Sequence, residues 1–281
     1  MTTAFVLSGG GNLGAVQVGM LRALYERGVE PDILFGTSVG ALNAAFLAGR
    51  PGEIDELDDV WRRVRRSDVF PSRPLGGMLG LFGRRSHLVS PDGLRRLVRS
   101  NLTYRHLEDA ALPITVVATF VNDGSEVLIS SGDAVDAVAA SAAIPGVFPS
   151  VRIDGRDLMD GGVANNTPIS CAIEAGASTV YVLPTGFACA LDNPPRSALA
   201  MALHSVTLLI QQRLMSDVAR YQDSFDLRVI PPLCPINVSP VDFGHTGDLV
   251  SRSFEATTAW LSRRGRRPAD QSQHLAFHAH S

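Results

Sequence analysis

A serine between two glycines, placed where a strand ends and a helix begins, most constrains how this sequence can fold. The pentapeptide Gly36–Gly40 (GTSVG) follows the strand-like run 32–35 and precedes the alanine-rich run 41–48. A serine in so sharp a turn takes a strained backbone, so only small residues fit two positions before and after it. The turn exposes the hydroxyl beside the free N–H groups of a helix N-terminus, which stabilise negative charge. The pattern therefore predicts a nucleophile, Ser38, on an α/β fold.

A second glycine turn, Gly9–Gly14 (GGGNLG), separates the first strand from the first helix. Its glycines fit a dinucleotide-binding pattern, but the second strand ends without the acidic residue that holds a ribose. Adjacent parallel strands would bring this loop and Ser38 to the same carboxyl edge of the sheet. Bare amides there are interpreted as an oxyanion hole, with a tight turn alone as the alternative. The amides concerned belong to Gly9, Gly10 and Gly11.

The composition limits the classes of function open to the chain. Its 281 residues can bury a large core, and a formal net charge of −3 argues against global attraction to nucleic acid. All 25 basic side chains are arginine, so no lysine can serve as a nucleophile, a base or a P-loop residue. Three widely spaced cysteines without a CxxC pair favour a reducing compartment over a disulfide framework or a zinc site. No metal or cofactor is expected.

Strand and helix signals alternate along the chain, which favours a mainly parallel sheet flanked by helices. No linker divides the sequence, so we expect one domain over 1–264, followed by a polar, disordered tail over 265–281. The N-terminus runs directly into a core strand, and no apolar stretch approaches the roughly 20 residues that span a bilayer. The expected location is the cytoplasm, with peripheral attachment to a membrane surface as the alternative.

Residues 71–87 differ from the rest of the predicted domain, because glycines space their apolar side chains with no helical or strand period. The segment is either a packed irregular stretch or a lid that presents apolar side chains to lipid. Those side chains are Met78, Leu79, Leu81 and Phe82.

A serine hydroxyl needs a base within about 3 Å before it can attack a carbonyl. None of the seven histidines lies in a convincing motif, although His204 and His245 stay open as members of a triad. Asp160 is a better base, because a predicted hairpin turn at 154–155 places it at a strand end, before two glycines that leave room around it.

Four segments in this order resemble the patatin-like phospholipase family. They are the loop 9–14, the pentapeptide 36–40, the stretch 140–149 (ASAAIPGVFP), and Asp160-Gly161-Gly162 with Asn165 and Pro168 after it. With their flanking elements these segments cover residues 4–185, about two-thirds of the chain.

The resemblance implies a three-layer α/β fold and a dyad in which Ser38 is the nucleophile and Asp160 its partner. It also implies that the glycine loop supplies the oxyanion hole. The family loop commonly has Arg or Lys where this chain has Leu13, which removes a head-group contact there but not the backbone donors. Supporting glycines of the motifs are Gly14, Gly36, Gly40, Gly161 and Gly162.

The predicted function is hydrolysis of carboxylic esters in phospholipids, lysophospholipids or related acyl lipids through an acyl-Ser38 intermediate. An aspartate with an ordinary pKa near 3.9 is a weak base, so we expect burial to raise the pKa of Asp160. Two other classes stay open: a nucleotide-binding oxidoreductase that uses the glycine loop, and a lipid-binding protein without turnover. The sequence predicts neither the ester attacked nor the oligomeric state.

Overall fold

The computed structural model describes residues 1–70, 87–186, 198–234, 236, 238, 239, 241–263 and 275. The predicted lid 71–87 therefore lies outside the described residues except at its last position. The predicted tail 265–281 also lies outside them except for Leu275, which is fully buried among residues of the core. At Leu275 the tail packs against the domain.

A mixed sheet forms the centre of the described fold. Its strands follow the order β5-β6-β3-β2-β1-β7-β8, with β4 paired to β3 beside this path. Neighbouring strands are parallel throughout the series β3-β2-β1-β7-β8. The other pairs are antiparallel: β4 and β6 each pair with β3, and β5 pairs with β6. The strands are β1 Thr3–Leu7, β2 Ile33–Thr37, β3 Ile114–Phe120, β4 Glu126–Ile129, β5 Val151–Ile153, β6 Arg156–Asp160, β7 Thr179–Leu183 and β8 Asp226–Val229.

Helices cover both faces of this sheet. They are α1 Gly14–Tyr25, α2 Val39–Gly49, α3 Ile54–Arg63, α4 Arg66–Val69, α5 Asp92–Asn101, α6 Ala134–Ser141, α7 Gly162–Asn165, α8 Ile169–Glu174, α9 Ala198–Tyr221 and α10 Thr246–Ser262. Single 3-10 turns occur at Gly11–Leu13, Leu107–Asp109 and Phe243–His245.

The two faces of β1 show why the fold has three layers. Successive side chains of a strand point to opposite faces. Phe5 and Leu7 pack in the cluster formed with α1, α2, α3, α5, α6 and α10, whereas Ala4 and Val6 pack in the cluster formed with α8 and α9. Since β1 is buried on both sides from Ala4 onward, its residues Ala4–Leu7 form an unbroken apolar run, as expected for a central parallel strand.

The turn residues 122–124 (NDG) and 154–155 (DG) each predict a hairpin. Both hairpins are confirmed, since β3 pairs with β4 and β5 pairs with β6. The run 53–66, acidic at its start and rich in arginine at its end, predicts one helix, but the chain forms two helices here, α3 and α4. Val64 and Arg65 between them have extended backbone angles (ψ 130° and 157°). The break lets both Val64 and Val69 enter the core, which one straight helix would not allow.

The expectation that the cysteines form no disulfide is wrong for Cys234, which is disulfide-bonded. Cys171 is free and buried. Spacing in the sequence does not reveal which thiols the fold brings together, and an odd count does not exclude one pair. Cysteine usage therefore no longer supports a reducing compartment. Among the described helices, none is long and apolar enough to cross a bilayer.

Candidate active site

Ser38 occupies the strained turn that its flanking glycines predict. The residue lies between β2 and α2 with φ 54° and ψ −122°, a positive φ that few residues other than glycine adopt. A Cβ at Gly36 would lie 2.6 Å from the carbonyl oxygen of Gly40. A Cβ at Gly40 would lie 2.1 Å from the carbonyl oxygen of Leu7. The two glycines are therefore sterically required, and the turn, called the elbow below, has the strained strand-to-helix geometry expected of a nucleophile elbow.

Asp160 meets Ser38 although 122 positions separate them in the sequence. The Ser38 Oγ donates a hydrogen bond to Asp160 Oδ2 at 2.7 Å. Asp160 is the last residue of β6, and β6 and β2 pair with opposite sides of β3. The end of β2 that leads into the elbow and the end of β6 are therefore separated by one strand, β3. The structure thus brings the two predicted side chains into direct contact.

The backbone after Asp160 fixes the orientation of its carboxylate. The N–H of Gly162 donates to Asp160 Oδ1 at 2.8 Å, which leaves Oδ2 for the serine. A Cβ at Gly161 would lie 2.2 Å from the carbonyl oxygen of Val117, so the chain passes β3 more closely than any side chain permits. Both glycines of the aspartate motif therefore have steric or hydrogen-bonding roles beside the carboxylate.

Burial changes the acidity of this carboxylate. Ser38 and Asp160 are each only 7% exposed. Desolvation raises the pKa of Asp160 from 3.8 to about 6, against the smaller opposite effects of its hydrogen bonds from Ser38 and Gly162. A pKa near 6 leaves the carboxylate ionised at neutral pH yet makes it a stronger base than an exposed aspartate. The raised pKa agrees with the expectation from the sequence.

Ser141 is a site residue to which the sequence assigned no role. Its hydroxyl accepts the backbone N–H of Ser38 at 2.8 Å and donates to the carbonyl oxygen of Val117 at 2.5 Å. The carbonyl of Ser141 also accepts the N–H of Gly161 at 3.1 Å. This one serine therefore connects the elbow, β3 and the aspartate turn. The signal available for it was its place in the stretch 140–149.

The glycine loop lies beside the elbow, as the parallel pairing of β1 and β2 predicts. The N–H of Gly9 donates to the carbonyl oxygen of Asn166 at 3.2 Å, and its carbonyl accepts the Thr185 hydroxyl at 2.7 Å. The N–H groups of Gly10 and Gly11 have no acceptor among the described residues. Since the amide of Gly9 is already engaged, the donors available to an oxyanion here are those of Gly10 and Gly11.

A network of hydrogen bonds among buried side chains ends on the backbone next to the glycine loop. Trp61 Nε1 donates to Asn43 Oδ1 at 2.9 Å, and Asn43 Nδ2 donates to Gln17 Oε1 at 2.8 Å. Gln17 Nε2 in turn donates to the carbonyl oxygens of Ser8 and Leu183, each at 2.9 Å. Because each of these buried polar atoms has a partner, the network is stabilising rather than costly. No motif in the sequence predicts this network.

Gly14 lets α1 approach the neighbouring helices closely. A Cβ there would lie 2.4 Å from Val39 Cγ2 and 2.8 Å from the Trp61 ring. The last glycine of the loop therefore has a packing role, whereas Gly10 and Gly11 leave their amides free.

An apolar cleft opens beside Ser38 between α2, α3 and α5. Of the 22 described residues that line it, none is charged and four have an amide or hydroxyl side chain. Three phenylalanines from separate segments form one wall, with ring centroids 5.6 Å apart for Phe70 and Phe148 and 6.4 Å apart for Phe70 and Phe243. The four polar residues are Asn12, Ser38, Asn43 and Asn101. Such a lining suits a hydrocarbon chain with its polar end at the serine.

Asn12, next to the predicted oxyanion donors, is fully buried. Its Nδ2 donates to the carbonyl oxygen of Asp242, while its Oδ1 has no donor among the described residues. Asn12 therefore ties the loop to the segment that carries Phe243, one of the cleft walls, and keeps an acceptor unused.

No hydrogen bond described at Ser38 or Asp160 involves a histidine. His245 lies 3.6 Å from Asp242 with 58% of its side chain exposed, and His204 is a partly exposed residue of α9. The described geometry therefore contains a serine–carboxylate pair without an imidazole between them. No described group of three or more His, Cys, Asp or Glu side chains could hold a metal ion.

Comparisons with known proteins agree with this arrangement. A model of the family described as patatin-like phospholipase matches residues 5–173. The chain is 32% identical over 185 residues to patatin-like phospholipase domain-containing protein 7 of Mus musculus. That alignment covers 65% of this chain and 13% of the mouse protein. It is 28% identical over 193 residues to lysophospholipase NTE1 of Mycosarcoma maydis. That alignment covers 66% of this chain and 10% of the fungal protein.

The chain thus spans about a tenth to an eighth of the length of these curated relatives. Among solved structures, VipD from Legionella pneumophila superposes with a TM-score of 0.50 at 17% identity, covering 93% of this chain and 66% of that one. A likeness at so low an identity concerns the fold, which is a three-layer α/β fold of the patatin type. Since the family match extends over more than half of its residues, the chain belongs to the patatin-like phospholipase family.

Proposed function

We propose that the protein is a serine hydrolase that cleaves carboxylic esters of acyl lipids. The observation that carries this proposal is the 2.7 Å hydrogen bond from Ser38 Oγ to Asp160 Oδ2 on a strained elbow. Membership of the patatin-like phospholipase family and the apolar cleft beside the serine support a lipid substrate.

In the first step, Ser38 Oγ attacks the ester carbonyl carbon while Asp160 Oδ2 takes the hydroxyl proton. The carbonyl π electrons move to the oxygen, which then accepts hydrogen bonds from the free amides of Gly10 and Gly11. Collapse of the tetrahedral intermediate expels the alcohol, which takes the proton from Asp160. The products of this step are a free alcohol and an acyl-Ser38 ester.

In the second step, a water molecule attacks the acyl-Ser38 carbonyl and gives its proton to Asp160. The second tetrahedral intermediate collapses with release of the fatty acid, and the proton returns to Ser38 Oγ. Asp160 thus acts as base and then acid in each half-reaction. A pKa of about 6 suits both roles near neutral pH. The carboxylate is basic enough to take a proton, and the carboxylic acid is acidic enough to give it up again.

The acyl chain would occupy the cleft, with the ester at Ser38 and the head group outside. Phospholipids and lysophospholipids are the substrates that the named relatives suggest. Leu13, which stands where the family commonly has a basic residue, offers no charge to a head group. Attachment to a membrane through Met78, Leu79, Leu81 and Phe82 stays a prediction, since these residues lie outside the described part of the chain.

Hydrolysis of p-nitrophenyl esters and of a phospholipid and lysophospholipid panel tests the proposal. Wild type should release fatty acid, whereas Ser38→Ala and Asp160→Asn should lose about 10³-fold or more in kcat, as for other nucleophile and base removals. Folded wild-type protein with no turnover on any ester would favour a lipid-binding protein. A rise in melting temperature with NAD or NADP would instead favour the nucleotide-binding alternative.

A further inference from the structure

An open groove with basic walls lies at the surface between α3, α4 and α5. One arginine, Arg63, comes from the last turn of α3. Two more, Arg96 and Arg99, are three residues apart on α5 and so share one face of that helix. All three residues are exposed. Three guanidinium groups from two helices therefore converge on one groove.

Unlike their sequence neighbours, these arginines have no acidic partner within the described part of the chain. Arg62 donates to Asp58 at 2.8 Å, and the side chain of Arg95 is paired with Asp136. By contrast, the described residues provide no hydrogen bond or ion pair to the guanidinium groups of the groove.

One carboxylate, that of Asp68, also lines the groove. It accepts the backbone N–H of Arg65 at 2.8 Å, so part of its charge is used to cap α4. Among the described residues that line the groove, three cations stand against one anion, so this surface is positive on a protein whose formal net charge is −3.

The groove and the apolar cleft share a wall. Residues of α3 and α5 that line the cleft also line the groove, so the basic surface is continuous with the rim of the predicted acyl site. The shared residues are Val60, Val64, Leu97 and Asn101. A lipid phosphate near this rim would meet the arginines while an acyl chain enters the cleft.

We propose that the groove docks the protein on an anionic bilayer, where its three guanidinium groups bind the phosphate oxygens of lipid head groups. Guanidinium groups bind phosphate with paired, charge-assisted hydrogen bonds, and basic clusters bind anionic bilayers with an affinity that falls as salt rises. Docking goes beyond the proposed hydrolysis and needs no turnover, so its test can fail or succeed independently of that function.

Binding of Ser38→Ala protein to vesicles tests the proposal without hydrolysis. Sedimentation would compare vesicles of phosphatidylcholine alone with vesicles that contain about a third phosphatidylglycerol. We expect preference for the anionic vesicles, and a loss of about tenfold or more in affinity when Arg63→Gln, Arg96→Gln and Arg99→Gln are combined. The double variant Arg96→Gln/Arg99→Gln should show an intermediate loss.

A charge-matched control carries Arg27→Gln in the turn after α1, Arg152→Gln on β5 and Arg220→Gln on α9, all outside the groove. This control should keep most of the affinity. When Ser38 is restored, the groove variant and the control variant should both hydrolyse a soluble p-nitrophenyl ester at the wild-type rate. Equal binding to both vesicle types, or an equal loss in control and groove variants, would overturn the proposal. Binding of inorganic phosphate to the groove without any preference for anionic vesicles would make the groove a free-anion site, and would overturn docking too.

Discussion

At the scale of single residues, the candidate site depends on where the protein places one buried carboxylate. Asp160 is almost fully buried, and its hydrogen bonds from Ser38 and Gly162 only partly offset the loss of hydration. A raised pKa is useful to a base, but it also means that the ionised form is less stable in the folded than in the unfolded protein.

This pKa predicts the acidic limb of the pH–rate profile. Because the base must be ionised, kcat/KM should fall tenfold per pH unit below a pKa of about 6 and level off above it. Rates on a soluble ester from pH 4 to 8 would measure this. A limb that does not bend until below pH 4 would show that Asp160 has an ordinary pKa.

The raised pKa of Asp160 also predicts that this residue lowers the stability of the folded protein at pH values at which it is ionised. The folded pKa exceeds the unfolded one, so this group favours the folded state at pH values below about 4 and opposes it as pH rises through 6. Asp160→Asn cannot ionise, and should therefore raise the melting temperature at pH 8 but change it little at pH 4. Thermal unfolding of both proteins at the two pH values measures this difference, and a lower melting temperature at pH 8 would contradict it.

Ser141 gives a test of positioning rather than chemistry. Ser141→Ala removes the acceptor for the N–H of Ser38 and the donor to Val117, so we expect about 1–3 kcal/mol lower stability and about a tenfold lower kcat with little change in KM. Ser251→Ala, which removes an exposed hydrogen bond on α10, is the control and should change neither quantity. A rise in KM at constant kcat would assign Ser141 to substrate binding instead.

At the scale of elements, local signals in the sequence predicted the strands and both hairpins, since turn residues and apolar runs act over a few positions. The break between α3 and α4 was missed because it depends on Val64 and Val69 both reaching a core made by distant segments. Ser38 and Asp160 were paired from the resemblance of the motifs. Ser141 and the Asn43 network were not found, because their hydrogen bonds join residues far apart in the sequence.

The elbow itself makes a prediction at this scale. Gly40→Ala places a Cβ 2.1 Å from a backbone oxygen of β1, so α2 must move and the loss of stability should be about 3 kcal/mol or more. Gly124→Ala, at a turn with φ +75° and no atom within 4 Å of the added Cβ, should cost about 1 kcal/mol. Denaturant unfolding compares the two variants, and equal losses would show that the elbow tolerates a side chain.

At the scale of the whole molecule, the central sheet separates the cleft layer from the layer formed by α8 and α9. Within the described structure, only the first of these layers lines the cleft at Ser38, so changes in volume should affect substrate choice on that side alone. Val98, buried on α5, lines the cleft, whereas Val218, equally buried on α9, belongs to the opposite layer.

Val98→Phe should therefore lower the ratio of kcat/KM for a long-chain to a two-carbon p-nitrophenyl ester by about tenfold, because it fills acyl space. Val218→Phe overpacks the core to a similar degree and should leave this ratio unchanged. Chain-length profiles of both variants measure the effect. A ratio that changes equally in both would place the acyl chain elsewhere.

The dyad is tested most directly by asking which atom of the protein reacts with a fluorophosphonate. Peptide mass spectrometry of labelled protein should find one adduct, on Ser38, and Asp160→Asn should slow its formation about 10²-fold or more while the protein stays folded. Labelling at another residue, or unchanged labelling of Ser38 in Asp160→Asn, would contradict a nucleophile activated by this carboxylate.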